Sequence, residues 1–149
     1  MVHGEEMKNE EMKSKGSRVM GQGASYEGRQ DHVRKMALPK IDVWENKYAD
    51  KKYVVKFDTP EFTCVCPKTG LPDFAHIFIE YSPAKWCPEL KSFKEYLMAY
   101  RDRGIFHEHV VNRILEDLVK SCKPRAMKVL GMFNTRGGIS TTVEAEYRK

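Results

Sequence analysis

The chain has 149 residues, and its 26 Lys and Arg against 21 Asp and Glu give a formal net charge of +5. This length is typical of one domain that buries a core without disulfides or metals. The charges are dispersed, so the sequence has no like-charged run of the kind that forms a nucleic-acid-binding tail, and a solvated mixed-charge surface is the simpler interpretation.

Neither secretion nor membrane insertion is predicted. The first residues, MVHGEEMKNEEMKSKG, carry acids and lack the apolar stretch of a secretory signal. No apolar run reaches the roughly 18 residues that a membrane span needs. We therefore expect a cytoplasmic protein whose four cysteines are free thiols, namely Cys64, Cys66, Cys87 and Cys122.

Residues 1–43 differ in composition from the rest of the chain. They hold five of the ten glycines and one aromatic residue, Tyr26, and they show no sustained apolar period. Such a segment buries too little apolar surface to offset the entropy of ordering it. We predict a mobile tail over residues 1–43 and a single domain over residues 44–149.

The predicted domain begins with two strands. KKYVVKFDTPEFTCV is rich in β-branched and aromatic residues and is interrupted at Thr59–Pro60. FAHIFIEYS alternates, which places Ile77, Ile79 and Tyr81 on one face of a strand.

Two helices and a hairpin follow these strands. PELKSFKEYLMAYRDRG and FHEHVVNRILEDLVKSCKP have apolar residues at spacings of three and four, and they end at Gly104 and Pro124. The predicted apolar positions are Leu90, Phe93, Leu97 and Tyr100 in the first helix and Val111, Ile114, Leu115, Leu118 and Cys122 in the second. A Gly-Gly pair between AMKVLGMFN and ISTTVEAEY predicts a hairpin.

The order ββααββ predicts an α+β domain, with an antiparallel four-stranded sheet and two helices packed on one face. Such a sheet has two open edges, which natural proteins cover or pair. Edge-to-edge assembly of several subunits into a closed barrel would pair them.

The stretch CVCPKTGLPD, residues 64–73, has four possible interpretations. A structural zinc site wants C-x2–4-C with a matching second pair, which is missing. A disulfide is disfavoured by the expected compartment, whereas two buried structural thiols fit the usual burial of cysteine. Alternatively, Cys66 is a nucleophile at a turn before Pro67, with Asp73 as its proton donor or acceptor.

The first helix and the hairpin contribute possible anion ligands. Lys91 and Lys94 share a helix face beside Glu89 and Ser92, and Arg136 lies in the RGG turn. These residues form either a solvated surface or a set of cations for phosphate groups.

The second helix begins with His107 and Glu108. A carboxylate in the first turn either complements the helix dipole or accepts N–H groups from a guanine-like base.

Four sequence blocks, in this order, resemble a known family. CPKTGLPDFA, ELKSFK with EYL, FHEHVVNRILEDL and RGGIS are similar to the NADPH-dependent nitrile reductases of the queuosine pathway, the 7-cyano-7-deazaguanine (preQ0) reductases, in their short single-module form. The resemblance covers about residues 53–149. At Glu95 the family motif has an aliphatic or aromatic residue instead, and the sequence does not show how this difference affects cofactor contacts. Nor does it show whether oxidation of Cys64 regulates Cys66.

The resemblance implies an oxidoreductase with the tunnelling fold (T-fold) that is shared with GTP cyclohydrolase I. It implies reduction of the preQ0 nitrile to the aminomethyl group of preQ1 in tRNA queuosine biosynthesis, with two NADPH per turnover and no metal in the site. It further implies a homo-oligomer, a decamer of two pentameric rings with sites between subunits, and no direct nucleic-acid or membrane partner.

Site roles also follow from the resemblance alone. It implies that Cys66 is the nucleophile of a covalent thioimide and that Asp73 is the general acid. The implied substrate-binding residues are Pro88, Glu89, Leu90, His107 and Glu108, and the implied cofactor-binding residues are Lys91, Ser92, Lys94 and Arg136.

Two other functions are compatible with the sequence. A GTP-cyclohydrolase-like zinc enzyme on the same fold needs a metal triad, for which the second ligand pair is missing. A non-catalytic basic module that binds nucleic acid fits the mild net charge, but no patch of basic and aromatic residues supports it.

Overall fold

The computed structural model describes residues 30–149. Within this range the strands are β1 (Val43–Glu45), β2 (Val55–Val65), β3 (Pro72–Ser82), β4 (Trp86–Pro88), β5 (Ala126–Arg136) and β6 (Ile139–Arg148). The helices are α1 (Leu90–Met98) and α2 (His107–Cys122), and short 3-10 helices span Val33–Lys35 and Ala99–Asp102. No helix in the described part of the chain is long and apolar enough to cross a membrane.

The main sheet has the strand order β2-β3-β5-β6, and every neighbouring pair in it is antiparallel. The 3-10 helix after α1 packs on β2, and α2 packs on β5 and β6. The predicted α+β class, the four-stranded antiparallel sheet and the two helices on one face are confirmed. A separate two-stranded sheet of β1 and β4 was not predicted, because three-residue strands are too short to show an alternating pattern.

The central strand β3 follows the predicted alternation. Ile77, Ile79 and Tyr81 are at most 3% exposed and face the helices. In the edge strand β2 the predicted break is a bulge inside one strand, since the pairing register shifts between Thr59 and Phe62. Proline has no N–H for a sheet hydrogen bond, so a bulge on an edge strand is where Pro60 is tolerated.

The helices bury most of the predicted apolar positions. All five positions predicted for α2 are buried, and in the α1 region Phe93, Leu97 and Tyr100 are buried. The prediction for Leu90 is wrong, because this first residue of α1 is 59% exposed at the mouth of a groove. Tyr96 takes part in the core instead, with its hydroxyl 2.6 Å from Asp117 Oδ2.

A glycine on β5 permits close packing of α2. A Cβ atom added at Gly131 would lie 2.6 Å from Cγ2 of Val111 and 3.0 Å from Cε2 of Phe133. Real Cβ atoms essentially never lie within 2.6 Å of another heavy atom, so the hydrogen side chain of Gly131 sets the distance between α2 and the sheet. The predicted hairpin is also confirmed, since Gly137 and Gly138 both have positive φ between β5 and β6.

The residues before β1 pack against the domain. Val33, Met36 and Ile41 are buried in the core, and the guanidinium of Arg113 on α2 donates to the carbonyl oxygens of Val33 and Met36. The predicted tail over residues 1–43 therefore differs from the structure between residues 30 and 43, because three apolar side chains in that stretch find core positions. Residues 1–29 lie outside the described residues, and for them the mobile tail stays a prediction.

Candidate active site

Cys66 lies directly after the end of β2, in a tight turn. Its N–H donates to the carbonyl oxygen of Leu71 at 2.8 Å, and its own carbonyl oxygen accepts from the N–H of Gly70 at 2.9 Å. Gly70 has φ +71°, a conformation that side-chain-bearing residues rarely adopt. The CPKTG stretch thus folds into a closed turn that presents a half-buried thiol.

The turn lowers the pKa of the Cys66 thiol. Partial burial acts to raise this pKa, but hydrogen bonds from the Thr69 hydroxyl and from the backbone of Thr69 and Lys68 outweigh burial, so the pKa lies below its ordinary value. The thiolate is the nucleophilic form of cysteine, so these hydrogen bonds increase the reactive fraction.

Cys64 differs from Cys66 in both burial and pKa. It is fully buried in the core, and burial raises the pKa of its thiol to about 12, with the charges of Asp73 and Cys66 acting in the same direction. Its Sγ faces the carbonyl oxygen of Ile105 at 3.9 Å. Two cysteines two positions apart therefore differ in environment: Cys64 is a fully buried thiol with a raised pKa, and Cys66 is a half-buried thiol with a lowered pKa.

Asp73 is a carboxylic acid in the buried row of β3. It pairs with Cys64 across the β2–β3 ladder and is 8% exposed. Its Oδ2 lies 3.2 Å from Nε2 of His107, and its Oδ1 lies 3.5 Å from Nη2 of Arg136. Its electrostatic effect on Cys66 raises the pKa of that thiol, against the lowering by the turn. Cys66 and Asp73 each lie one residue after a member of the Val65–Pro72 pair, at the connection between β2 and β3.

The start of α2 brings His107 to this carboxyl group. The imidazole of His107 stacks on the ring of Phe133, with centroids 3.8 Å apart and 12° between the planes. This stacking leaves Nε2 pointing at Asp73. Glu108, the next residue of α2, has an exposed side chain, and its backbone carbonyl accepts from the Asn112 amide at 2.8 Å.

At the N-terminus of α1, two residues that were predicted to bind ligands, Glu89 and Ser92, form hydrogen bonds with the backbone. Both carboxylate oxygens of Glu89 accept backbone N–H groups, from Lys91 and Ser92, each at 2.7 Å, and these bonds lower the pKa of Glu89. The Ser92 hydroxyl donates to the Glu89 carbonyl oxygen and accepts from the N–H of Asp42, each at 2.9 Å. Glu89 and Ser92 therefore cap the helix, and their predicted ligand roles stay predictions.

The other α1 residues border an open groove. A cavity of about 610 Å³ lies between α1 and β2, with apolar walls that include Leu90 and Phe93. Three cationic side chains line it, those of Lys56, Lys94 and Arg101. Lys91 is exposed on the same helix, and Pro88 is buried at the end of β4, where it pairs with Val43.

Arg136 lies with the carboxyl group and not in this groove. Its guanidinium contacts Asp73 and donates to the carbonyl oxygen of Pro72, and the side chain is 46% exposed. The structure thus gathers Cys66, Asp73, His107 and Arg136 at one end of the sheet. The residues of α1 border a different surface of the chain.

The sequence reasoning missed two supporting side chains. Thr69 follows Cys66 by three residues, and its hydroxyl forms a hydrogen bond with the sulfur. The predicted turn after Cys66 could have indicated this contact, because a turn brings residues three apart close together. Phe133 lies in the alternating pattern of β5, but nothing in the sequence indicated its stacking partner. Among residues 30–149, no group of three or more His, Cys, Asp or Glu side chains is arranged to hold a metal ion.

Comparisons with known proteins agree on one family. A family model described as QueF-like protein matches residues 72–149. The NADPH-dependent 7-cyano-7-deazaguanine reductase of Elusimicrobium minutum is 52% identical over 122 residues, which cover 80% of this chain and 92% of the relative. The protein of the same name from Nitrosococcus oceani is 52% identical over 109 residues, covering 73% of this chain and 84% of the relative.

A solved structure supports the fold. The crystal structure of the archaeosine synthase QueF-Like in the apo form is similar, with a TM-score of 0.59 and 28% sequence identity. The match covers 62% of this chain and 91% of that chain.

Proposed function

The chain belongs to the family of NADPH-dependent 7-cyano-7-deazaguanine reductases, and on this premise we propose how its residues carry out the reaction. It is an oxidoreductase that uses NADPH to reduce the nitrile of 7-cyano-7-deazaguanine (preQ0), a step of the queuosine pathway. The observation that carries the proposed mechanism is the closed turn at Cys66, which presents a half-buried thiol beside the β2–β3 connection, where the buried carboxyl group of Asp73 lies near the start of the next strand.

Cys66 is the proposed nucleophile. A nitrile is a poor hydride acceptor, and addition of a thiolate to its carbon gives a covalent thioimide that divides one hard step into easier ones. In this step the bond from Sγ to the nitrile carbon forms and one carbon–nitrogen π bond breaks. The hydrogen bonds from Thr69 and Lys68 hold the thiolate that attacks.

Asp73 is the proposed general acid for the same step. It gives its proton to the nitrile nitrogen while the thiolate attacks, which leaves a carboxylate in a nearly buried position. Nε2 of His107 at 3.2 Å and Nη2 of Arg136 at 3.5 Å are placed to stabilise that carboxylate.

Glu108 is the proposed reader of the deazaguanine base. A guanine-like edge offers adjacent N–H donors, and a carboxylate offers two acceptor oxygens, so bidentate pairing is geometrically natural. Glu108 follows His107 directly and has an exposed side chain. Pro88, Glu89 and Leu90 are proposed to line the pocket from a second subunit, with Glu89 contributing backbone groups because its carboxylate caps α1.

Lys91, Lys94 and Arg136 fit the phosphates of NADPH by charge and exposure. The lysines project from α1, where the groove also carries Lys56 and Arg101. Nη2 of Arg136 contacts Asp73 and Pro72, and the guanidinium carries further N–H donors that can bind a phosphate. When bound, NADPH supplies the hydrides.

A closed assembly of subunits would complete the site. Among residues 30–149, the edge strands β2 and β6 of the main sheet each have one side that pairs with no other strand. Pairing β2 of one subunit with β6 of the next would pair these free edges and close a barrel. We propose a homo-oligomer of this type, a decamer of two pentameric rings.

The reaction is tested by its stoichiometry. Four electrons separate a nitrile from a primary amine, so purified protein with limiting 7-cyano-7-deazaguanine should oxidise two NADPH per nitrile, read from the loss of nicotinamide absorbance. The product, identified by mass spectrometry, should be the aminomethyl compound. A ratio of one NADPH with release of an imine or aldehyde would contradict the assignment.

A further inference from the structure

The linker between the two helices is held at the Cys66 turn on one of its edges. The N–H of Val65 donates to the carbonyl oxygen of Arg103 at 2.9 Å, and the N–H of Ile105 donates to the carbonyl oxygen of Val65 at 3.1 Å. Val65 immediately precedes Cys66, so this pairing fixes one edge of the linker relative to the nucleophile.

The opposite edge of the linker is held by a side chain from the N-terminal segment. Oε1 of Gln30 accepts from the N–H of Phe106 at 3.0 Å, and Nε2 of Gln30 contacts the carbonyl oxygen of Gly104 at 3.4 Å. A backbone N–H only donates and a carbonyl oxygen only accepts, so these partners fix the orientation of the amide. The carboxamide makes the donor and acceptor contacts that a neighbouring strand would make.

The same oxygen reaches the first turn of α2. Oε1 of Gln30 lies 2.8 Å from Nδ1 of His109. One carboxamide therefore joins the linker to the first helical turn, which also carries His107 and Glu108. Phe106, the N-cap residue of α2, has no side-chain cap of its own, so the contact from Gln30 falls where the helix lacks one.

Gln30 is itself anchored to the domain. Its carbonyl oxygen accepts from the N–H of Val33 at 3.2 Å, which starts a 3-10 turn. The guanidinium of Arg113 binds the carbonyl oxygens of Val33 and Met36. The segment that carries Gln30 is thus fixed to α2, and the carboxamide is held against the linker.

We propose that Gln30 is a positioning residue for the nitrile substrate: its carboxamide fixes the start of α2, and so His107 and Glu108, relative to Cys66. The inference rests on the proposed function, because it matters only if those residues meet the substrate. Small displacements of groups that orient a substrate lower turnover strongly. The two lysines that are proposed to bind the cofactor phosphates lie on α1, a different helix from the one that Gln30 contacts.

The test uses three variants of the full chain. Gln30→Met keeps the length of the side chain and removes both hydrogen-bonding groups, and Gln30→Glu keeps the acceptor oxygen for Phe106. Asp31→Asn, at the exposed neighbouring position, is the matched control. Loss of the carboxamide contacts should lower kcat/KM for 7-cyano-7-deazaguanine about tenfold, equivalent to about 1.4 kcal/mol.

A kinetic separation is expected in Gln30→Met. In this variant kcat/KM for the nitrile should fall about tenfold, while the KM for NADPH should stay within about twofold of the wild-type value. Gln30→Glu should recover part of the loss, and Asp31→Asn should match wild type. An unchanged kcat/KM for the nitrile in Gln30→Met, or an equal rise of both KM values, would overturn the positioning role.

Hydrogen exchange of the protein without ligands tests the contact independently of activity. The amides of residues 103–109 should exchange faster in Gln30→Met than in wild type and Asp31→Asn. Unchanged exchange would overturn the inference even if turnover fell. If wild type did not reduce the nitrile at all, the proposed function would fail, and with it the positioning role, whereas the exchange result would still report whether Gln30 orders the linker.

Discussion

Oδ2 of Asp73 lies 3.2 Å from Nε2 of His107, so the first residue of α2 contacts the carboxyl group at the start of β3. The two residues are 34 positions apart in sequence, and stacking of the imidazole on Phe133 holds the ring in place. The proton donor proposed for the nitrile nitrogen therefore has an imidazole nitrogen within ion-pair distance before any substrate arrives.

Replacing this neighbour should slow adduct formation. His107→Phe keeps an aromatic ring for stacking on Phe133 and removes the contact with Asp73. The carboxylate left after proton transfer then loses one of its two partners, and a hydrogen bond to a charged group contributes about 1.5–3 kcal/mol. The rate of covalent adduct formation with 7-cyano-7-deazaguanine alone should fall about 10- to 150-fold. Time-resolved intact-protein mass spectrometry measures it, and an unchanged rate would remove His107 from the acid step.

The two cysteines of the CVC stretch should differ completely in reactivity. Cys66→Ala should abolish both the covalent adduct and turnover, whereas Cys64→Ala should retain both, because Cys64 is buried and its pKa is raised to about 12. Mass spectrometry of each variant with the nitrile substrate decides this. An adduct that persists in Cys66→Ala contradicts the assignment of the nucleophile.

Removal of the Thr69 hydroxyl should shift the pH dependence of Cys66. The hydroxyl lowers the pKa of the thiol, so Thr69→Val should raise this pKa and move the midpoint of iodoacetamide alkylation to higher pH. At neutral pH the variant should consequently react more slowly. Thr142→Val, at an exposed position of β6, is the control and should leave the midpoint in place. A midpoint that does not move would show that the backbone groups alone hold the thiolate.

The alternation of apolar and polar residues along the strands accounts for most of the fold prediction. The same pattern also indicates which way one residue of the candidate site faces. Counting back by twos from the buried Ile77 and through Ala75 reaches Asp73, so the inward direction of this carboxyl group follows from the sequence pattern. The partners His107 and Arg136 did not follow from any pattern. Their approach depends on how α2 and the β5–β6 hairpin pack on the sheet, which is a long-range property.

The N-terminal boundary was the least predictable feature. Residues 30–43 lack periodicity, yet Val33, Met36 and Ile41 enter the core and Gln30 contacts the helix linker. Such contacts use isolated side chains and backbone carbonyl groups, so they leave no repeat in the sequence. Composition alone assigned these residues to a tail.

The close contact between β5 and α2 predicts a marked loss of stability in Gly131→Ala. The added Cβ atom would lie 2.6 Å from Cγ2 of Val111, and a valine side chain has little freedom to move away. Overpacking of this kind costs about 1–3 kcal/mol of the free energy of unfolding. Denaturant unfolding measures it, and the double variant Gly131→Ala with Val111→Ala should be more stable than the additive expectation. Full additivity would show that Val111 is not the obstacle.

Replacing one carboxylate oxygen of Glu108 tests whether this side chain binds the N–H groups of the deazaguanine base. Glu108→Gln keeps the shape of the side chain but replaces one acceptor with a donor amide, so a substrate N–H would face a donor. Leaving it unpaired costs about 1–3 kcal/mol, more where a charge is involved, which lowers preQ0 affinity about 10- to a few hundred-fold. If Glu108 only complements the α2 dipole, the variant should instead lose about 0.3–1 kcal/mol of stability with its affinity intact.

Calorimetric titration in a Cys66→Ala background separates these two roles of Glu108, because the substrate then binds without reacting. Glu116→Gln is the matched control, since Glu116 is an exposed carboxylate of the same helix that pairs with Arg34 at the surface. We expect weaker preQ0 binding in Glu108→Gln, unchanged binding in Glu116→Gln, and the same NADPH affinity in both. Equal preQ0 affinity in the two variants would exclude the base-reading role, because both changes remove one negative charge from α2.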